Sequence, residues 1–407
     1  MSNDFVGNIK NKTTLYDLAA FAFSVFMFLK SLDSSSIIYP TIIKNFSMYF
    51  CIGSGLIAII SENNTISRVV TKFTKWCMIF ACVILVSMIY APNIDYSIQY
   101  ALLPFLIQFA LLFVLENIVL RKGFDWFANI FIMYGIVIIT LSFVLYAPDL
   151  FSGHRFGYTR GINPNELMIN LIIPITFLIY KAMNKKAKSQ ISWFFIILGV
   201  VIMLCSGSKK SLLAISIFLL IFIINAKSTQ QRFKIILVVI IMLLLLIYAI
   251  FNIDFLYQSI GRRIELLLLA KKGLVDDQYT DEIRFRMREL ALNMFLDHPI
   301  LGNGAEAFRE KSGYNTYSHN TYTEILCSYG IVGTILFFYF PIKNLIICIR
   351  NAIYRPELKN AIMICLLLDF FVLSWGCVFI TDLFNMEIFM LLSVFMKDNS
   401  KGINKND

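Results

Sequence analysis

The chain has 407 residues, of which 58% are hydrophobic and only 15% are charged, and its mean hydropathy is +0.72. A water-soluble protein cannot bury so much apolar surface, so the composition excludes a soluble enzyme and predicts an all-α, polytopic membrane protein. A net charge of +10 would suggest nucleic-acid binding in a soluble protein, but basic cytoplasmic loops explain it better here. The cysteines form no C-x-x-C pair, so the sequence predicts neither a disulfide framework nor a zinc site.

Apolar runs predict about twelve membrane helices, because each crossing needs roughly 20 residues. The approximate centres of these helices are Phe23, Phe50, Ile84, Phe105, Val137, Ile173, Ile197, Ser216, Leu243, Ile331, Leu367 and Phe389. Because Asp17 interrupts the first apolar run and no small-residue cleavage site follows, we expect no cleaved signal peptide. The chain is therefore expected to divide into helices one to nine (1–251), a long loop (252–321), helices ten to twelve (322–396) and a polar tail (397–407).

The distribution of basic residues predicts the orientation. With the N-terminus inside, the inner loops and the tail hold more than half of the 36 Lys and Arg residues, which places the 252–321 loop outside. Against this rule, outer segments carry three groups of cations: Arg155 with Arg160, Lys209 with Lys210, and Arg284 with Arg286 and Arg288. Cations kept where topology disfavours them indicate an anionic ligand such as a lipid pyrophosphate. The alternative is that they pair with nearby carboxylates or lipid headgroups.

The long loop carries the most informative pattern. An amphipathic helix is predicted from apolar residues at helical spacing, namely Ile283, Met287, Leu290, Ala291 and Met294, and it should end near Asp297-His298-Pro299. Gly302-Asn303-Gly304 indicates a turn. Thr321-x-x-Glu324 resembles a capping box before an apolar run, so His319 should immediately precede a membrane helix. Gly330 and Gly333 are expected to permit close helix packing.

These motifs resemble those of one family. The likeness rests on two groups of motifs. The first group lies in and after the long loop: Arg284, His298-Pro299, Leu301-Gly302-x-Gly304, Ser318-His319-Asn320, Glu324 and Gly330-x-x-Gly333. The second group lies upstream: Arg155-x-Gly157, Asn163-Pro164-Asn165 and Ser206-Gly207-Ser208-Lys209. The stretch from roughly 150 to 335 resembles the O-antigen ligase/Wzy-type polymerase family of membrane glycosyltransferases. Lys209 stands where that family usually has arginine, which weakens the expectation of a bidentate phosphate contact there.

The resemblance implies a GT-C-like membrane fold and an inverting transfer of a glycan from a polyprenyl (undecaprenyl) pyrophosphate carrier to an acceptor sugar hydroxyl. The resemblance also implies that this reaction takes place at the outer face of the cytoplasmic membrane, with no metal and no cofactor. A pyrophosphate leaving group needs cations and the acceptor hydroxyl needs a base. We therefore expect His319 to be the general base, pyrophosphate to be bound by Arg155, Arg160, Lys209, Arg284 and Arg288, and support to come from Asn320, Glu324, Gly302 and Gly304. The structural alternative is that His319 only caps the tenth helix or hydrogen-bonds the loop.

Several functions remain open within and beyond this family. An Ile-, Lys-, Asn- and Phe-rich composition suggests a low-GC genome, which favours a repeat-unit polymerase for capsule or exopolysaccharide over a ligase. The expected partners are the lipid-linked donor, the acceptor glycan, the bilayer, and assembly proteins such as a flippase or a chain-length regulator, but no nucleic acid. A lipid-linked oligosaccharide flippase is a different class, and it would need charges in a transport cavity. Only Lys44, Asp369 and Asp17 look membrane-buried in the sequence, which argues against a flippase. A non-enzymatic assembly scaffold is a third possibility.

Overall fold

The computed structural model describes residues 2–35, 37, 41–61, 70–152, 155–184, 189–271, 280–354 and 357–403. Every regular element within this part of the chain is helical, which confirms the all-α prediction. The α-helices of five or more residues in this part of the chain are α1 (Ser2–Asp33), α2 (Thr41–Ser61), α3 (Lys72–Met88), α4 (Leu103–Lys122), α5 (Phe124–Ser152), α6 (Pro164–Met183), α7 (Ser189–Cys205), α8 (Lys209–Ile224), α9 (Thr229–Asn252), α10 (Arg262–Lys271), α11 (Thr280–Asp297), α12 (Ala307–Lys311), α13 (Thr321–Tyr354), α14 (Leu358–Leu373) and α15 (Leu383–Ile403).

The apolar helices agree with a protein that crosses a membrane several times. Each of the centres predicted from the sequence lies in a different helix. Within the described residues, 7 helices are long and apolar enough to span a bilayer, and two shorter apolar helices cover Gln190–Cys205 and Leu383–Phe395. The chain is therefore a multi-pass membrane protein, whereas the count of about twelve crossings stays a prediction.

Burial separates the central helices from those at the lipid boundary. In α6, 72% of the most apolar window is buried, so this helix lies inside the bundle. In α9, by contrast, only Ile250 is buried, although the mean hydropathy of its window is 3.1. A helix that is apolar on all sides and exposed in the protein alone faces lipid. The polar residues at the start of α6 line the candidate site, where Asn165 and Asn170 are half-buried and Asn163 and Glu166 are exposed.

The long helix α13 is broken at Gly330, whose φ of 62° and ψ of −164° are not helical. The break changes the partners of two carbonyl groups just before it. The carbonyl of Cys327 accepts the N–H of Asn303 at 2.8 Å, and that of Ser328 accepts the N–H of Gly304 at 3.0 Å. The turn after α11 thus supplies donors to carbonyl groups beside the break, where buried backbone groups must find partners.

The same turn also satisfies the amide groups that follow the break. Ile331 donates its N–H to the carbonyl of Pro299 at 2.9 Å, and Val332 donates to Ile300 at 3.2 Å. In addition, the Asn303 side chain donates to the last-turn carbonyl of Met294 in α11 at 2.6 Å. The 299–304 turn is therefore joined by hydrogen bonds both to the end of α11 and to the middle of α13.

Glycine is required where the two backbones meet. A Cβ on Gly330 would lie 2.3 Å from the Ile300 carbonyl oxygen, and a Cβ on Gly302 would lie 2.6 Å from that of Ser328. Both glycines also have positive φ, which other residues rarely adopt. The expectation that Gly330 only permits close helix packing was incomplete, because it also breaks the helix and makes room for the turn.

We predict that Gly330→Ala lowers the midpoint of thermal unfolding of the purified protein in detergent. The backbone conformation alone should cost about 1–3 kcal/mol for a residue with a Cβ, before the clash with the 299–304 turn is counted. Gly53→Ala is the matched control, because Gly53 is helical and a Cβ there meets nothing within 4 Å. The control should be neutral or stabilising. Equal midpoints for Gly330→Ala and wild type would contradict this account of the break.

Candidate active site

A cavity of about 510 Å³ collects side chains from distant parts of the sequence. Its polar and charged lining consists of Lys30 from α1, Gln108 from α4, Tyr134 from α5, Asn163, Asn165, Glu166 and Asn170 from the start of α6, Lys210 from α8, Arg284 from α11, Tyr317 and His319 from the loop before α13, and Thr381, Asp382 and Glu387 near the start of α15. His319, the predicted general base, and Arg284, predicted to bind pyrophosphate, therefore share one cavity.

His319 reaches this cavity from a constrained loop. Its φ of 58° lies in the left-handed region, which is uncommon for a residue with a side chain and is often found at functional sites. The ring of Tyr317 contacts the imidazole edge-to-face, with the centroids 4.7 Å apart. The preceding Ser318 is buried, and its N–H donates to the Glu324 carboxylate at 2.6 Å. These contacts hold the loop and limit the orientations open to the imidazole.

The first turn of α13 begins at Thr321, one residue earlier than the predicted capping box implies, and its cap differs from the prediction. The Asn320 side-chain oxygen accepts the N–H groups of Tyr322 at 2.9 Å and Thr323 at 3.1 Å, so Asn320 is the N-cap. Thr321 is the first helical residue and not the capping residue. The difference arises because both are good capping residues and the hydrogen-bond geometry selects between them. His319 lies outside this capping interaction, so capping does not explain why it is placed here.

Glu324 lies behind the His319 loop and not in the main cavity. It lines a smaller cavity of about 280 Å³ together with Glu306 and Arg309, and this cavity also touches Tyr317. Arg309 donates to Glu306 at 2.8 Å, while burial raises the pKa of the Glu306 carboxyl. Glu324 thus fixes the loop through Ser318, and the structure gives it a supporting position.

The surroundings of His319 keep its imidazole neutral. Burial, together with the nearby cations Arg284 and Lys210, lowers the pKa of His319 from 6.5 to about 4. The cause is general, because a low-dielectric environment and like charges both disfavour the protonated ring. At neutral pH the imidazole is therefore free to accept a proton.

Arg284 is presented by the amphipathic helix α11. Met287, Ala291 and Met294 of this helix are buried in a small cluster with Phe308 and Cys327. This apolar face anchors α11 against α13, as the sequence pattern predicted. Ile283 was also assigned to the buried face, but it is 40% exposed because it lies one turn before the anchored part.

The other predicted cations on α11 point elsewhere. The guanidinium of Arg288 lies 5.8 Å from the centre of the Trp375 ring, in the range of a cation–π contact, and Arg288 does not line the cavity. Arg286 is exposed. Among the arginines of α11, Arg284 is the one that lines the cavity.

The first turn of α8 supplies a different lysine from the one predicted. Lys210 lines the cavity and donates to the Gly376 carbonyl at 2.6 Å and to the Cys377 sulfur at 2.9 Å. Lys209, which was expected to bind pyrophosphate, begins α8 and is not among the cavity residues. Adjacent helical positions differ by about 100° around the axis, so only one of the two lysines faces the cavity.

The two arginines before α6 also differ in their position relative to the cavity. Arg155 donates through Nε to the Ser206 carbonyl at 2.7 Å and through Nη2 to the Asn165 side-chain oxygen at 3.3 Å. Because Asn165 lines the cavity, Arg155 supports its wall from behind. Arg160 is exposed in the short Tyr158–Arg160 turn and does not line the cavity.

Gly302 and Gly304 contribute to the architecture and not to the cavity surface. Gly302 meets Gly330 and Ser328, as described above, and a Cβ on Gly304 would lie 2.5 Å from Cα of Ala91. They connect the end of α11, the break in α13 and the segment after α3. Their role is to position the elements that carry Arg284 and His319.

Sequence reasoning missed part of the charged lining. Lys30, Glu166, Asp382 and Glu387 all line the cavity, and burial raises the pKa of Asp382 despite the N–H of Phe384 and the charge of Lys30. Glu387 stands inside an apolar run, where a charge is costly and is a functional signal by default. That signal was available in the sequence.

The charges that the sequence did single out have other roles. Lys44 forms an ion pair with Asp33, and Lys122 forms one with Asp17 at 2.5 Å. Asp369 is buried in α14, and its carboxylate oxygens have no hydrogen bond within the described part of the chain. None of these three predicted residues lines the cavity of His319, although Lys44 and Asp33 line a neighbouring one.

Residues 194–338 match the model of a family described as O-antigen ligase. This segment belongs to the O-antigen ligase family. It includes Lys210, Arg284, His319 and Glu324 and the break at Gly330, and membership supports an O-antigen ligase- or polymerase-type function on lipid-linked glycans in a membrane. No curated protein gives a match to the chain.

We predict that His319 makes the stability of the protein depend on pH. Its pKa lies below the ordinary value in the folded protein, so between pH 6.5 and about 4 the unfolded chain binds a proton that the folded chain does not. Protonation of His319 in the unfolded chain therefore lowers the free energy of unfolding progressively as the pH falls through this range. The midpoint of thermal unfolding should drop less between pH 7 and pH 4.5 in His319→Gln than in wild type. Equal drops would show that the imidazole is not held neutral.

Proposed function

We propose that the protein transfers a glycan from a polyprenyl-pyrophosphate carrier to a sugar hydroxyl of an acceptor glycan. His319 is the general base, and Arg284 and Lys210 bind the pyrophosphate. The observation that carries the proposal is that Arg284 and Lys210 line the same cavity as the neutral imidazole of His319 and lie close enough to lower its pKa. The family match supports the general type of reaction.

The proposed reaction places one demand on each of these residues. The acceptor oxygen attacks the anomeric carbon of the donor sugar while the bond from that carbon to the pyrophosphate oxygen breaks, with inversion. The acceptor hydroxyl gives its proton to the imidazole of His319. Negative charge grows on the departing pyrophosphate, where Arg284 and Lys210 stabilise it. No step requires a metal or a cofactor.

Donor binding should strengthen the base. The charges of Arg284 and Lys210 help to keep the pKa of His319 near 4 in the protein without a ligand. A bound pyrophosphate offsets these charges and places an anion nearby, and both changes favour the imidazolium. The pKa of His319 then rises toward neutrality, where proton transfer is most effective.

The positive-inside distribution favours a location in the cytoplasmic membrane with the cavity open to the outside. There the protein would polymerise repeat units of a capsule or exopolysaccharide, working with a flippase and a chain-length regulator. A ligase that uses a terminal acceptor is the closest alternative, and the identity of the acceptor in a defined reaction distinguishes the two. A lipid-linked oligosaccharide transporter gains support from one observation, namely that Lys30, Glu166 and Glu387 place charges in the cavity.

We predict that His319→Gln lowers the transfer rate on the order of 10²- to 10⁴-fold, the usual contribution of general acid–base catalysis. Glutamine keeps a hydrogen bond but cannot take the proton, so binding of the lipid-linked donor should change little. The measurement is single-turnover transfer by purified protein. His298→Gln is the matched control, because His298 is exposed and does not line the cavity. Near-normal transfer by His319→Gln would show that His319 orients the loop and does not catalyse.

We further predict that Arg284→Ala lowers kcat/KM for the lipid-linked donor on the order of 10²- to 10³-fold, as expected for removal of a group that stabilises the leaving charge. Arg284→Lys should restore only part of this loss, because lysine lacks the planar fork of donors. Arg286→Ala is the control on the same helix and should be mild, since Arg286 is exposed and projects about 200° away. Similar values of kcat/KM for all three variants would show that α11 does not bind the pyrophosphate.

A further inference from the structure

A second cavity, of about 550 Å³, lies beside the cavity of His319. It is formed by α1, α2 and the start of α6, and polar groups dominate its lining. Amides come from Asn45, Asn163 and Asn170, carboxylates from Asp33 and Glu166, and a hydroxyl from Ser34. The proposed transfer step assigns it no role.

The two cavities share part of their wall. Lys30, Asn163, Glu166 and Asn170 line both of them, whereas His319 lines only the first. A molecule in the second cavity therefore meets the first across these four polar side chains. A chain-like ligand that occupies the second cavity and passes this wall enters the space that His319 lines.

The charges of the second cavity balance, with Lys30 and Lys44 against Asp33 and Glu166. Lys44 pairs with Asp33, and Lys30 lies within electrostatic range of Glu166. The His319 cavity also holds three cations and three carboxylates, but Arg284 and Lys210 are the charges that act on His319. Each cation of the second cavity has an acidic neighbour, and cations that already have such neighbours do not favour a pyrophosphate. Amides, carboxylates and hydroxyls together offer donors and acceptors, which suits a neutral ligand with many hydroxyl groups.

The polar wall is preformed by hydrogen bonds. The Asn170 side chain donates to the Ser34 hydroxyl at 3.2 Å, and that hydroxyl lies 3.4 Å from the Tyr134 hydroxyl. The Asn163 side chain caps α6 by accepting the N–H of Asn165 at 3.1 Å. A wall that is already ordered loses little entropy when a ligand binds.

We propose that the second cavity binds the sugar units of the acceptor glycan and directs the reacting hydroxyl toward His319. The inference rests on the proposed function. Arg284 and Lys210 line the His319 cavity and suit the donor pyrophosphate, and the neighbouring space without excess charge suits an uncharged polyhydroxylated acceptor. The shared wall of Lys30, Asn163, Glu166 and Asn170 is then the point at which the acceptor enters the transfer site.

The test uses Asn45, which lines the second cavity, is absent from the first and is exposed on α2, so that its substitution does not disturb the core. The probe is the oligosaccharide released by mild acid from the carrier lipid of cells that lack this protein. Asn45→Ala should raise both the Kd and the acceptor KM for this oligosaccharide about 3- to 10-fold, the effect of one lost hydrogen bond. Asn45→Trp, which fills the cavity, should raise them more than tenfold. Asn293→Ala, an exposed matched change on α11, should alter neither.

In all three variants kcat and half-saturation by the lipid-linked donor should remain at wild-type values. If Kd and acceptor KM are unchanged in both Asn45 variants while wild type transfers normally, the second cavity does not bind the acceptor, and the proposed transfer reaction still stands. If wild type binds the oligosaccharide without transferring to it and the Asn45 variants lose binding, the saccharide site stands and the proposed transfer fails.

Discussion

The candidate site depends on the backbone hydrogen bonds between the 299–304 turn and the break in α13 at Gly330. This contact joins the end of α11, which carries Arg284, to the helix that His319 precedes. Four backbone hydrogen bonds cross the junction, and glycines at 302 and 330 let the two chains approach. Without this junction, α11 would be attached to α13 mainly through a small apolar cluster. The distance between the cations and the imidazole would then depend on a much softer contact.

A second constraint is the separation of charge within the bundle. Arg284 and Lys210 lie close enough to His319 to lower its pKa, whereas Lys30 lies within range of Glu166, Asp382 and Glu387. Charges in a low-dielectric interior are stable only with partners, and three acids lie near the single positive charge of Lys30, so that part of the cavity has no excess of cations. The anion-binding character is thereby confined to the side of His319. This division is the physical basis for assigning donor and acceptor to different sides of one site.

Part of this arrangement could be predicted from the sequence. The apolar runs predicted the helices, and the spacing of Met287, Ala291 and Met294 predicted the anchored face of α11 because burial follows the helical period. Arg284 and His319 were predicted from their motifs, and Arg284 also because positive charge is disfavoured in an outer segment. Lys30 was missed because it reaches the cavity only when α1 packs against α4 and α5, which no local pattern encodes. Glu387 was missed although its charge inside an apolar run was a signal in the sequence. The choice of Lys210 over Lys209 depends on the rotation of α8, and the break at Gly330 depends on a φ angle that a glycine leaves open.

The central claim is that Arg284 and Lys210 hold the donor pyrophosphate next to His319. The most direct measurement is a cryo-electron microscopy structure of the His319→Gln variant in lipid nanodiscs with a polyprenyl-pyrophosphate-linked glycan. We expect density for the phosphates about 3 Å from the Arg284 guanidinium and the Lys210 ammonium, with the first sugar beside residue 319. Phosphate density on another surface, away from both cations, would contradict the account.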